Sequence, residues 1–71
     1  MKRISVISSA INSIGYHAET GILEIEFAGG NAYQYYDVPH HVYDEMMHAE
    51  SLGAYVNEAI VRGGYAYQEK S

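Results

Sequence analysis

The segment Leu23-Glu24-Ile25-Glu26-Phe27 alternates apolar and acidic residues, and Gly29-Gly30 separates it from Tyr33-x-Tyr35. Strict alternation predicts a half-buried strand over 22–27, in an antiparallel sheet with one wet face. Leu23, Ile25 and Phe27 then point inward, and Glu24 and Glu26 outward. The hairpin that follows decides where the tyrosines go. A three-residue loop, Ala28-Gly29-Gly30 with Gly30 left-handed, pairs Phe27 with Asn31. It sets Tyr33 against Ile25 and Tyr35 against Leu23, over the core. A two-residue Gly29-Gly30 turn would place the same tyrosines beside Glu26 and Glu24, because one residue of slip flips the whole set. The three-residue loop is preferred. Of the 48% of residues that are hydrophobic, eight are tyrosines, so the aliphatic core is thin and needs the large rings over it.

Around this hairpin the pattern is coarser. Ile4, Val6 and Ser8 share an alternating set within 1–9, a short strand candidate, and Ser8-Ser9 reads as a break. A second strand is expected over Ile11–Ala18, with Ile14 and Tyr16 on one face, joined by Glu19-Thr20-Gly21 to the strand at 22–27. Asp37-Val38-Pro39 stops the tyrosine strand. Pro39 suits a helix's first turn and Asp37 is placed to cap it, predicting a helix over Pro39–Ala49 with Val42, Met46 and Ala49 in a stripe. Ser51 is a cap for a second helix, Leu52–Val61, whose Leu52, Tyr55, Val56, Ala59 and Ile60 have amphipathic spacing. Gly63-Gly64 ends it, with Arg62 in the last turn. Tyr65-Ala66-Tyr67-Gln68 is a further short strand candidate. The fold class is therefore α+β: an antiparallel three- to four-stranded β-meander with two helices packed on one face, residues 1–71 forming one domain.

Composition narrows the function classes. There is no cysteine, so neither disulfides nor thiolate zinc sites brace so small a core, which leaves a well-packed monomer or a homo-oligomer. No apolar run is long enough to span a membrane, and Met1-Lys2-Arg3 is not followed by a signal-peptide pattern. A cytoplasmic protein is expected. Net charge is −5 with histidines neutral, and the basic residues are Lys2, Arg3, Arg62 and Lys70. Such a surface repels phosphate backbones unless positive charge is clustered.

The ordered series Val6-x-Ser8-Ser9-x-Ile11, Ile14-Gly15-Tyr16, Leu23-x-Ile25-x-Phe27-x-x-Gly30, Tyr33-x-Tyr35 and Val38-Pro39 resembles the KTSC domain. Val42-Tyr43, Ala49-x-Ser51-x-Gly53-x-Tyr55-x-Asn57 and Ile60 continue the resemblance over nearly the whole chain. The family is named for the C-terminus of some lysyl-tRNA synthetases and also occurs as free-standing small bacterial proteins. The resemblance implies a non-catalytic binding module associated with RNA or tRNA, and it brings no catalytic residues. The alternative is a protein–protein interaction module, self-association included, which an acidic, tyrosine-rich surface suits at least as well.

Each candidate site has a plainer reading beside it. Tyr33 and Tyr35 would serve as a stacking platform for unpaired bases if exposed, but the preferred register makes them core residues with anchored hydroxyls. Tyr36, on the opposite face, is a protein-interface candidate. Arg3 and Arg62, with Lys70, would form a positive patch if the termini pack together, although such charges commonly serve capping and solubility. Asn57 is unusual inside a helix. Its amide is expected to bond a loop such as Ser8-Ser9, or else a ligand. His41, Glu45 and His48 share a helix face, but no fourth ligand accompanies them and no metal or other cofactor is expected. Glu24 and Glu26 read as solvated. No phosphate-cradling loop, thiol or serine elbow is present, so no enzyme activity is expected.

Overall fold

Five short stretches with alternating or β-branched character pair in sequence order. The computed structural model describes residues 3–70. Its strands are β1 (Ile4–Ser5), β2 (Ile11–His17), β3 (Ile22–Phe27), β4 (Ala32–Tyr35) and β5 (Tyr67–Glu69), all antiparallel to their neighbours. Between β4 and β5 run helix α1 (His40–Met47) and helix α2 (Leu52–Tyr55), which continues directly into a π-helical segment, Val56–Val61. The fold is α+β as expected, with five strands rather than three or four. The outermost strands are two and three residues long, too short for periodicity to separate them from loop.

The central hairpin takes the three-residue register. Phe27 N–H donates to the Asn31 carbonyl at 2.9 Å, Ile25 faces Tyr33 and Leu23 faces Tyr35. Gly30 has φ +98°, the left-handed conformation the loop requires. In β2 the register shifts between Ile11 and Ser13, so Asn12 is the extra residue of a bulge. As a result Ile11 and Ile14 are both buried although three residues apart. The core is built from Ile11, Ile14, Leu23, Ile25 and Tyr35 of the sheet, Val38 of the linker, and Met46, Val56 and Ile60 of the helical layer.

The helix starts differ from each other. Ser51 caps α2 as expected, its hydroxyl accepting from Ala54 N–H at 3.3 Å. At α1 the capping position is Pro39 itself, with no side-chain cap, so the helix begins at His40 and ends at Met47. Asp37 does not cap it. It sits at φ +58°, in the left-handed region, where an aspartate is tolerated better than most residues. That turn brings Val38 against the β2–β3 connection, where Val38 N–H donates to the Gly21 carbonyl at 2.9 Å. The second helix changes pitch at Val56, and Arg62 N–H reaches the Asn57 carbonyl five residues back at 3.1 Å. Five-residue spacing brings Val61 round to the side occupied by Val56. Among the described residues no helix is long and apolar enough to cross a membrane.

Candidate ligand-binding site

At the β4–β5 side, the aromatic inner face of the sheet extends past the cover of the helices. Phe27, Tyr33, Tyr35, Tyr67 and Val61 line an open groove of about 320 Å³ there. The pairing explains the assembly. Tyr35 faces Tyr67 and Tyr33 faces Glu69, so the side chains of β5 share the face of the two β4 tyrosines. The rings stand at steep or intermediate angles. Phe27 and Tyr33 are 5.8 Å apart at 73°, Tyr33 and Tyr67 6.0 Å at 68°, and Tyr35 and Tyr67 5.8 Å at 39°. The two edge-to-face pairs favour the cluster itself, and the mutual inclination of the rings leaves walls rather than one flat platform.

Burial grades across the groove. Tyr35 is its buried floor, Tyr33 is half-buried, and Tyr67 and Val61 are exposed at the rim. Val61 is the last residue of the π-helical segment. Burial, with the neighbouring Tyr33 and Tyr67 phenols, pushes the Tyr35 pKa above its ordinary value. The hydroxyls of Tyr16, Tyr36 and Tyr55 donate to protein oxygens. Those of Tyr33, Tyr35 and Tyr67 make no such bond among the described residues, where every fully buried side-chain nitrogen or oxygen has a partner. The groove tyrosines are thus packed as rings, as expected, but their hydroxyls are not anchored.

The opposite face of the sheet carries a polar ladder instead of solvated acids. Arg3 Nε lies 3.2 Å from Glu24 and its Nη1 3.6 Å from Glu26. Ser13 Oγ donates to Glu26 at 3.1 Å, and Gln34 Nε2 donates to Glu24 at 2.9 Å. Tyr36 Oη donates to Gln68 at 3.1 Å, which carries the ladder onto β5. Glu24 and Glu26 are therefore paired, and Tyr36, on the outer face as expected, is half-buried and hydrogen-bonded.

The remaining candidates do not converge. Arg3 lies on the ladder face, whereas Arg62 ends the helical layer on the other side of the sheet and pairs with Glu58 at 3.2 Å. The Arg3–Arg62–Lys70 patch is not formed. Asn57 is exposed, and its side chain bonds neither the Ser8-Ser9 turn nor another described residue. That turn meets Gly53 instead, where a Cβ would lie 3.2 Å from Ala10 Cβ and 3.7 Å from Ser8 Oγ. Glu45 accepts from Tyr55 Oη at 3.0 Å, and His48 Nδ1 lies 2.8 Å from the Asp44 carbonyl. No group of three His, Cys, Asp or Glu among the described residues is placed to hold a metal.

Comparison with known proteins follows the same outline. The KTSC domain family matches residues 7–65, most of the chain and most of the groove. The chain belongs to the KTSC domain family. It is similar to a KTSC domain protein from Yersinia pestis, whose crystal structure superposes with a TM-score of 0.87 at 34% identity, covering 99% of this chain and 97% of that one. An uncharacterised protein of Stutzerimonas stutzeri is 40% identical over 94% of both chains. A lysine–tRNA ligase of Nostoc punctiforme is 32% identical over 89% of this chain, which corresponds to 11% of the ligase.

Within this KTSC domain, sequence reasoning found Tyr33 and Tyr35 but missed Tyr67, Phe27 and Val61 as groove residues. A usable signal existed. The triplet Ala-Tyr-Gln occurs at Ala32–Gln34 and again at Ala66–Gln68, and Gln34 faces Gln68 across β4 and β5. The two triplets meet at that one pair, and the alternation of the strands then sets their tyrosines on the same face.

Proposed function

We propose that this KTSC domain is a non-catalytic binding module, acting as one unit over residues 1–71 in the cytoplasm, whose aromatic groove takes a side chain of a protein partner. The observation that carries this reading is the groove itself: four rings, three of them tyrosines with hydroxyls that no described protein group uses. Tyrosines of this kind supply contact area and a hydrogen bond at low entropic cost, and they are enriched at protein interfaces. The net charge of −5 and the pairing of Arg3 and Arg62 with carboxylates favour a protein over a phosphate backbone.

Association with RNA is the second reading, favoured by the similarity to a segment of a lysine–tRNA ligase. One titration separates them. Amide and aromatic NMR signals of Tyr33, Tyr35 and Tyr67 are followed against short capped peptides, and against single-stranded and hairpin oligoribonucleotides at two salt concentrations. Saturable shifts at the groove with peptide alone support the protein reading. Salt-sensitive shifts with RNA alone support the second reading and sink the first.

A further inference from the structure

The groove has the make-up of a receptor for a cation, and the geometry points to an arginine side chain of a basic partner segment as its occupant. We infer this on top of the protein-binding reading above, from three observations that bear on charge.

The first is the arrangement of the rings. Aromatic faces carry negative quadrupole density, so several rings inclined to one another around one space offer that density to a common occupant. Tyr33 stands at 73° to Phe27 and 68° to Tyr67, Tyr35 is tilted at 37° and 39° to Tyr33 and Tyr67, and all four rings line the one groove with centroid separations between 5.8 and 6.4 Å along the cluster. A neutral apolar occupant would gain only burial from these walls, whereas a cation gains burial and electrostatics. The second observation is the set of hydroxyls on Tyr33, Tyr35 and Tyr67, none bonded to a described protein group. A guanidinium has five N–H donors in a planar fork and no acceptor, so each phenol oxygen is a ready partner for it.

The third is the charge around the groove. The chain carries nine acidic residues against four Lys and Arg. The cation nearest in sequence to Val61 is Arg62, and Glu58 holds it at 3.2 Å. A basic segment is therefore complementary both to the pocket and to the surface that surrounds it. Arginine fits better than lysine, since its planar head both stacks on rings and fans its donors toward several hydroxyls.

The test compares a capped peptide bearing one central arginine with the same peptide bearing citrulline, which keeps the shape and loses the charge. Both are titrated by NMR at physiological ionic strength, where diffuse attraction to the acidic surface is largely screened. Tyr67→Leu and Tyr67→Phe are titrated alongside, with their folds checked by their own spectra. The expected result is saturable binding of the arginine peptide at the groove and weaker binding of the citrulline peptide. Tyr67→Leu should weaken the arginine peptide about two- to fivefold, and Tyr67→Phe less, since it keeps the ring face. If citrulline or leucine peptides occupy the groove as well as arginine does, the cation inference fails while the protein-binding reading stands. If no peptide moves the groove signals, both fail. Equal affinities for Tyr67→Leu and Tyr67→Phe would also overturn the cationic assignment.

Discussion

The Tyr16 hydroxyl donates to the Val38 carbonyl at 2.6 Å, across the gap between β2 and the linker that leads into α1. Val38 is held from its other side too, its N–H donating to the Gly21 carbonyl, while its side chain is buried. The Tyr16 ring stacks on Tyr43 of α1 at 4.6 Å and 10°. Tyr16 thus ties sheet, linker and helix together. Tyr16→Phe keeps the ring and removes one hydrogen bond, leaving a carbonyl short of a partner, so urea unfolding should show a loss of about 1–2 kcal/mol. Loss of stability equal to that of the more superficial Tyr36→Phe would show that the Val38 bond has no special weight.

Alkaline pH should weaken this fold. The phenols of Tyr16, Tyr35 and Tyr55 are all pushed above their ordinary value, in each case chiefly by burial, with a hydrogen bond to Glu45 adding at Tyr55. The folded chain therefore holds these protons more tightly than the unfolded one. Their contribution is fully present below the unfolded phenol value, about 10, and is lost as pH rises from there through the folded values. Urea midpoints should be flat from neutrality to near that point and then fall. Replacing Tyr35 by Phe should make the alkaline fall shallower, and an unchanged fall would show that the Tyr35 proton has no part in it.

The polar ladder predicts a coupling between residues far apart in sequence. Glu24 is the better-buried acid, with its side chain 13% exposed, and it meets both Arg3 and Gln34. Glu24→Ala should cost about 1–2 kcal/mol, because it strands two donors as well as removing a charge-assisted contact. Arg3→Ala should cost less, and a double-mutant cycle between them should return about 0.5–1 kcal/mol, falling with added salt. A coupling of zero in low salt would mean the pair is merely adjacent.

How legible all this is from sequence depends on the range of each interaction. The β3–β4 hairpin could be read because its alternation, its glycines and its tyrosines lie within one short stretch, and only one register puts the rings over the aliphatic residues. The bulge at Asn12 was not readable, since it depends on how β2 meets β3. Nor was the ladder: alternating glutamates look the same whether solvated or paired, and their partner Arg3 lies just ahead of a strand of two residues. The π-helical segment hides because Leu52, Tyr55, Val56, Ala59 and Ile60 satisfy an ordinary helical pattern. Its last residue, Val61 at the groove rim, hides with it. Tyr67 was on a strand candidate, but nothing local says that this strand pairs with β4, so the groove was half seen.

The end of the helical layer offers a test of why two adjacent glycines stand there. Gly64 has φ +83° and open space around its Cα, so a side chain there would meet no atom but would suffer from the backbone conformation. At Gly63 a Cβ would collide with the Ala59 carbonyl oxygen and crowd Tyr65 Cε2 at 3.1 Å. The first obstacle is conformational and the second steric, and asparagine distinguishes them. Gly64→Ala should cost about 1–2 kcal/mol, and Gly64→Asn appreciably less, because asparagine visits the left-handed region more readily. Gly63→Ala should cost about 2–3 kcal/mol as an overpacking substitution, with Gly63→Asn no better. Thermal or urea unfolding of the four variants decides it. Rescue by asparagine at position 63 would mean that conformation rather than contact with Ala59 explains that glycine.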